Sequence, residues 1–204
     1  MMGDGLLAST LVPLWVKLAW TAMVLGIVPI YWRHRGPCNF LWFSDIALFA
    51  LVAGLWLESA FVVSLVACMV LIPEMLWSVS FFGRLLRLPR ATGIADYMFE
   101  QQVPLWLRAV SLFHVPLLAV IIWGPWRLGY DPGGFAWAVL ITWIVLLLTR
   151  WLTGPEANIN HVYRLPIAAG AGLTPVQHML VLMTAVPLLL QLPGHLLLWA
   201  MFGD

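Results

Sequence analysis

Four residues able to carry protons or act as nucleophiles stand inside otherwise apolar sequence. Ser44 and Asp45 occur in Trp42-Phe43-Ser44-Asp45-Ile46-Ala47, Glu74 in Ile72-Pro73-Glu74-Met75-Leu76-Trp77, and His114 in Ser111-Leu112-Phe113-His114-Val115-Pro116. A serine hydroxyl attacks an ester when a base takes its proton, and an imidazole held by a third group is such a base. In that scheme Ser44 is the nucleophile, His114 the base, and Glu74 or Asp45 the group that orients the imidazole. Successive helical residues point about 100° apart, so Ser44 and Asp45 cannot both aim at one atom. Glu74 is therefore the better orienter. Asn39, Asn158, Asn160 and His161 add polar donors for a substrate or a developing oxyanion. Plainer roles stand beside these: a serine bonded to its own helix or a neighbouring one, and carboxylates paired with Arg108, Lys17 or His114.

The sequence around these residues is that of a membrane protein. Of 204 residues, 63% are hydrophobic and 9% charged, the mean hydropathy is +0.95 and the net charge +1. A soluble domain carries about 25% charged residues, so this composition excludes a soluble enzyme. It equally excludes a disordered chain and a nucleic-acid binder, which needs a basic face. Cys38 and Cys68 form no C-x-x-C pair, which supports neither a disulfide framework nor a zinc ribbon.

An α-helical span needs about 20 apolar residues. Six runs qualify, at about 10–31, 40–57, 60–82, 104–124, 134–152 and 175–201. Their connections are short and no repeat or linker divides them, so the expectation is an all-α, six-helix transmembrane bundle forming a single domain over residues 1–204. The first run lacks a basic flank and contains Lys17, and reads as a retained helix. Arg33, Arg35, Arg84, Arg87, Arg90, Arg150 and Arg164 fall in or beside the odd-numbered loops, against Arg127 on the other side. The positive-inside rule then places those loops in the cytoplasm and both termini outside it, in the inner membrane of a bacterium.

Helical rise sets the depths. From the cytoplasmic ends of their runs, Ser44 and Asp45 lie about 8–9 Å inside, Glu74 about 12 Å and His114 about 15 Å. All four fall in the cytoplasmic half, where the loop Gly154 to Arg164 also opens. Arg84, Arg87 and Arg90, spaced by three, suit anionic headgroups or a plain positive-inside anchor. His178 and His114 are a weak axial pair for haem without C-x-x-C-H, and no cofactor or metal is expected. His195 reads as interfacial, and tryptophans at span ends form an aromatic belt.

Three stretches carry a resemblance: Gly36 to Leu48, Asp96-Tyr97-Met98-Phe99, and Pro155-Glu156-Ala157-Asn158-Ile159-Asn160. Over most of its length the chain resembles a bacterial family described only as membrane-associated proteins. More distantly it is similar to the androgen-induced-gene type of intramembrane hydrolases and acyltransferases and their bacterial six-helix relatives. In that group a Thr or Cys early in the second helix works with a His in the fourth. The likeness implies Ser44 in the nucleophile's place, although Ser replaces Cys or Thr, and Trp42 stands where a His is common. It puts His114 in the base's place. The expected function is a serine hydrolase or acyltransferase acting on a membrane lipid ester. The alternatives are a non-enzymatic subunit or lipid/quinone-binding module of a larger membrane complex, and a small proton or ion path through Glu74, Asp45 and His114. The expected partners are membrane lipid and either membrane proteins or further copies of the chain, with no nucleic acid.

Overall fold

The protein is described by a computed structural model that covers residues 11–88, 93–165 and 172–203. Among these residues the secondary structure is helical, without a strand. The main elements are α1 (Leu14–Arg35), α2 (Phe43–Trp56), α3 (Ala60–Leu85), α4 (Leu105–Leu128), α5 (Gly133–Leu152) and α6 (Pro175–Phe202). Each of the six apolar runs becomes one of these helices. Five are long and apolar enough to cross a membrane; α2, the second expected span, has only 14 residues. Its shortness has a local cause. Gly36, at φ 79°, turns the chain out of α1 with its N–H on Tyr31 O, a left-handed conformation that suits glycine. Pro37–Leu41 then forms a 3-10 turn before α2 begins.

The large apolar side chains that remain exposed lie along the helices, among them Trp15, Leu25, Leu147, Trp151 and Leu189. An apolar exterior of this kind belongs in lipid, and the chain is a membrane protein. Helix α3 is the axis of the fold: 61% of its most apolar window is buried, against 28% for each of the other four long helices. It packs against α2, α4, α5 and α6, while α1 packs mainly on α2. Close approach is achieved with glycine, since small residues let helix backbones meet in a membrane. A Cβ on Gly134 of α5 would lie 2.7 Å from Leu65 N of α3.

Polar ties hold the bundle at both ends and in the middle. At the end where the chain enters α1, Lys17 Nζ donates to Glu58 Oε1 at 2.7 Å, and Leu11 N and Val12 N donate to the same carboxylate. Arg127 Nε donates to Leu11 O at 2.8 Å. Midway, Trp20 Nε1 donates to Leu48 O and Gln191 Nε2 to Thr142 Oγ1. Tyr130 OH meets both Cys68 Sγ and His195 Nδ1. His195 is a buried, hydrogen-bonded residue stacked on Phe135. In α6, Leu192 N reaches back to Pro187 O in a π-turn, a common accommodation of proline within a helix.

Two outcomes follow from this packing. Gly134→Ala should lower the thermal midpoint of the detergent-purified protein, by the roughly 1–3 kcal/mol of an overpacked contact. Gly26→Ala, whose Cβ would meet nothing within 4 Å, should not lower it. The hydrogen bond from Lys17, with those from Leu11 and Val12, holds the Glu58 carboxyl below its ordinary value of 4.5. A lowered carboxyl stabilises the fold above that ordinary value and loses its contribution as pH falls through the folded value. Acidification from pH 7 to pH 3 should therefore reduce the midpoint less in Glu58→Gln than in the wild type.

Candidate functional site

The buried polar residues converge near the ends of α1 and α3 and the starts of α2 and α4. Pro116 has no N–H to offer Leu112 O, and the turn just before it, Ser111–Phe113, tightens to 3-10 geometry. His114 opens the α-helical stretch that follows. Its Nδ1 donates to Glu74 Oε2 of α3 at 2.8 Å. The imidazole lies between two rings, Trp77 with centroids 4.4 Å apart at 23° and Phe113 at 4.2 Å and 24°. With Nδ1 committed to the carboxylate and both faces covered, the ring is fixed in orientation, and Nε2 has no hydrogen-bond partner among the described residues.

Around this pair lies a set of groups that sequence spacing did not single out. Tyr31 OH of α1 and Ser111 Oγ of α4 share a hydrogen bond of 2.9 Å. Trp77 Nε1 donates to Tyr97 OH at 3.1 Å, and the Tyr97 phenol also lies against Ser111. Burial pushes that phenol above its ordinary value of 10, so it stays protonated at any physiological pH. The Asp96–Phe99 turn brings Tyr97 there. Ala95 N donates to Ser80 Oγ, and Ala95 and Met98 pack with Trp77 in one small core. Asp96-Tyr97-Met98-Phe99 was conspicuous in sequence only through the resemblance.

Asp45 and Glu74 are both 2% exposed and lie within electrostatic reach of each other. Asp45 Oδ2 accepts from Asn39 Nδ2 at 3.2 Å, whereas Oδ1 is buried without a partner. Ser44, half-buried on the next flank of α2, makes no side-chain hydrogen bond among the described residues, and none joins it to His114. The structure thus brings Glu74 and His114 together and sets Asp45 within electrostatic reach of Glu74, while Ser44 is joined to them only through its neighbour in the chain, Asp45.

The other candidate residues serve the chain around the site. Asn39 holds Asp45, as above. Asn160 is a buried clamp: its Oδ1 accepts from Phe43 N, and its Nδ2 donates to Leu41 O at 2.7 Å. It thereby satisfies the first turn of α2 from 117 positions away. Asn158 accepts from Tyr163 N and Arg164 N and donates to Arg164 O, closing its own loop. His161 sets its ring edge to Trp42 and accepts on its carbonyl from His178 Nε2. Burial first, and then the neighbouring His178, lower its ring from the ordinary 6.5. Asn158, Asn160 and His161 have φ of 41°, 50° and 58°, left-handed conformations that Asn and His tolerate better than most residues.

The basic residues divide. Arg84 Nη1 donates to Asp96 Oδ1 at 2.8 Å and its guanidinium lies 4.9 Å over the Phe99 ring, so it pins the turn beneath the site. Arg87 is exposed, and Arg90 lies outside the described residues. Arg108, weighed in sequence as a partner for the buried acids, donates instead to Met98 O.

Comparisons with protein-family models, with curated proteins and with solved structures find no match. The chemistry is therefore argued from the geometry. A carboxylate bonded to one imidazole nitrogen, with the other nitrogen unengaged, is the arrangement of a general base. Buried carboxylates paired across helices are equally the material of a proton path.

Asn160→Ala removes the cap on α2 and strands Phe43 N and Leu41 O. It should destabilise the fold by about 1–3 kcal/mol, read as a lower thermal midpoint.

Proposed function

We propose that the protein is a membrane-embedded hydrolase or acyltransferase acting on a lipid ester, with His114 as general base, Glu74 as its orienting carboxylate and Ser44 as nucleophile. The observation that carries this reading is the 2.8 Å bond between Glu74 and His114 Nδ1, which fixes a ring whose Nε2 is unengaged. Ser44 stands on the first turn of α2, next in sequence to Asp45, which lies within electrostatic reach of Glu74. Bonds between nucleophile and base are often long before substrate binds, so an unmade bond from Ser44 is compatible with the role. Leu112 and Val115, on either side of His114, are exposed apolar residues, which supports access from the acyl region of the bilayer.

In this reading all six helices cross the inner membrane, with both termini extracytoplasmic. About 21 Å of α2 joins about 10 Å of the 3-10 turn before it, close to the roughly 30 Å of hydrocarbon. Arg33, Arg35, Arg84, Arg87, Arg150 and Arg164 fall at or beside the loops on the side of the site, where the positive-inside rule puts the cytoplasm.

A second reading draws on a separate observation, the unpartnered Asp45 Oδ1 beside Glu74. Here Asp45, Glu74 and His114 relay protons and no covalent step occurs. A fluorophosphonate separates the two. The wild type should label, and Ser44→Ala and His114→Ala should each label at least 100-fold more slowly. Labelling that survives Ser44→Ala but not His114→Ala would move the nucleophile's role to another serine, Ser111 being the one nearest the base in sequence. A folded protein that never labels would contradict the hydrolase. Proton flux in liposomes, abolished by Glu74→Gln, would then support the relay.

A further inference from the structure

A second polar region lies apart from Glu74 and His114, where α5 ends and α6 begins. A cavity of about 240 Å³ opens there, lined by Arg150, Tyr163, Arg164 and His178 with the apolar side chains of Val162 and Leu173 among its walls. No carboxylate lines it. The Arg150 guanidinium is stacked 3.9 Å over the Tyr163 ring, and Tyr163 OH in turn donates to the Arg150 and Thr153 carbonyls. Arg150 Nη1 is buried and has no hydrogen-bond partner among the described residues. An orphaned guanidinium donor is expensive to bury, and such a group ordinarily meets an acceptor.

Neighbouring groups add to the same field. Arg164 has its backbone N–H tied to Asn158 Oδ1, and its exposed side chain makes no hydrogen bond or ion pair among the described residues. His178 is held by its Nε2 on His161 O, which leaves Nδ1 unengaged. The cavity therefore combines a rigid planar cation, a second cation and an imidazole. Guanidinium forks match phosphate oxygens in both charge and geometry.

We propose that this cavity binds a phosphate group, held by Arg150 and Arg164 with His178 beside it. Its apolar walls and its place at the helix ends suit the phosphomonoester head of a lipid, and inorganic phosphate offers the same oxygens. The assignment does not depend on the chemistry of Glu74 and His114.

The test is binding to the full-length protein in two arms. In phosphatidylcholine nanodiscs, the protein should bind added phosphatidic acid more tightly than phosphatidylglycerol, because a phosphomonoester offers more charge and more free oxygens than a diester. In detergent, inorganic phosphate should raise the thermal midpoint where chloride at equal ionic strength does not. Success with phosphatidic acid assigns a lipid source; success with inorganic phosphate alone assigns a soluble one. In either arm Arg150→Gln should weaken binding about tenfold. Arg150→Lys should restore it only in part, since the charge returns without the fork. Arg164→Gln alters an exposed side chain and reports on the site even if the Arg150 variants do not fold. The proposal is overturned if neither phosphatidic acid nor inorganic phosphate binds, if phosphatidic acid and phosphatidylglycerol both bind and do so equally, or if folded Arg164→Gln and Arg150→Gln bind as the wild type does.

Discussion

A carboxylate on the most buried helix of a membrane protein must be met by a partner, because an uncompensated charge in so poor a solvent costs several kcal/mol. Glu74 on α3 is met by His114, and much of the surrounding structure follows from that contact. Pro116 and the 3-10 turn before it set the start of the helix that carries the imidazole. Trp77, one turn below Glu74, covers one face of the ring, and Phe113 covers the other. Tyr97 ties the Trp77 indole from the loop beneath, and the Arg84 to Asp96 ion pair holds that loop. The pair is thus buttressed by α3, by α4 and by the segment joining them.

The same physics explains the two ends of the bundle. Lys17 is a buried cation on α1, and it ends on Glu58 in the tight turn between α2 and α3, together with two backbone N–H groups. At the opposite end the α2 start would leave N–H groups unsatisfied, and Asn160 supplies the acceptor. Each end is closed by one side chain that serves several distant segments, which suits an environment where water cannot make up a missing hydrogen bond.

The helices were legible in the sequence because lipid demands unbroken apolar runs, and charge or proline marks where those runs stop. The depth of each polar residue could be counted from the same ends, and the roughly 100° between Ser44 and Asp45 made Glu74 the better orienter of His114. What spacing could not show were contacts between segments far apart in the chain. Tyr31 and Ser111 meet across 80 positions, and Phe43 and Asn160 across 117. Trp77 read as one more tryptophan of the aromatic belt, yet it stacks on His114. Arg84 read as a headgroup contact or a plain positive-inside anchor, and its ion pair with Asp96 was not visible from spacing. The shortness of α2 was hidden because Phe40 to Trp42 is apolar enough to extend the run while its backbone is not α-helical.

The central claim is that Glu74 and His114 act as one unit on a serine, and a kinetic cycle tests it most directly. Fluorophosphonate inactivation rates would be measured for the wild type, Glu74→Gln, His114→Ala and the double variant. Groups that act as a unit are strongly non-additive. The predicted result is a double variant no slower than His114→Ala alone. Losses that multiply, or a Glu74→Gln protein that reacts as fast as the wild type, would contradict it.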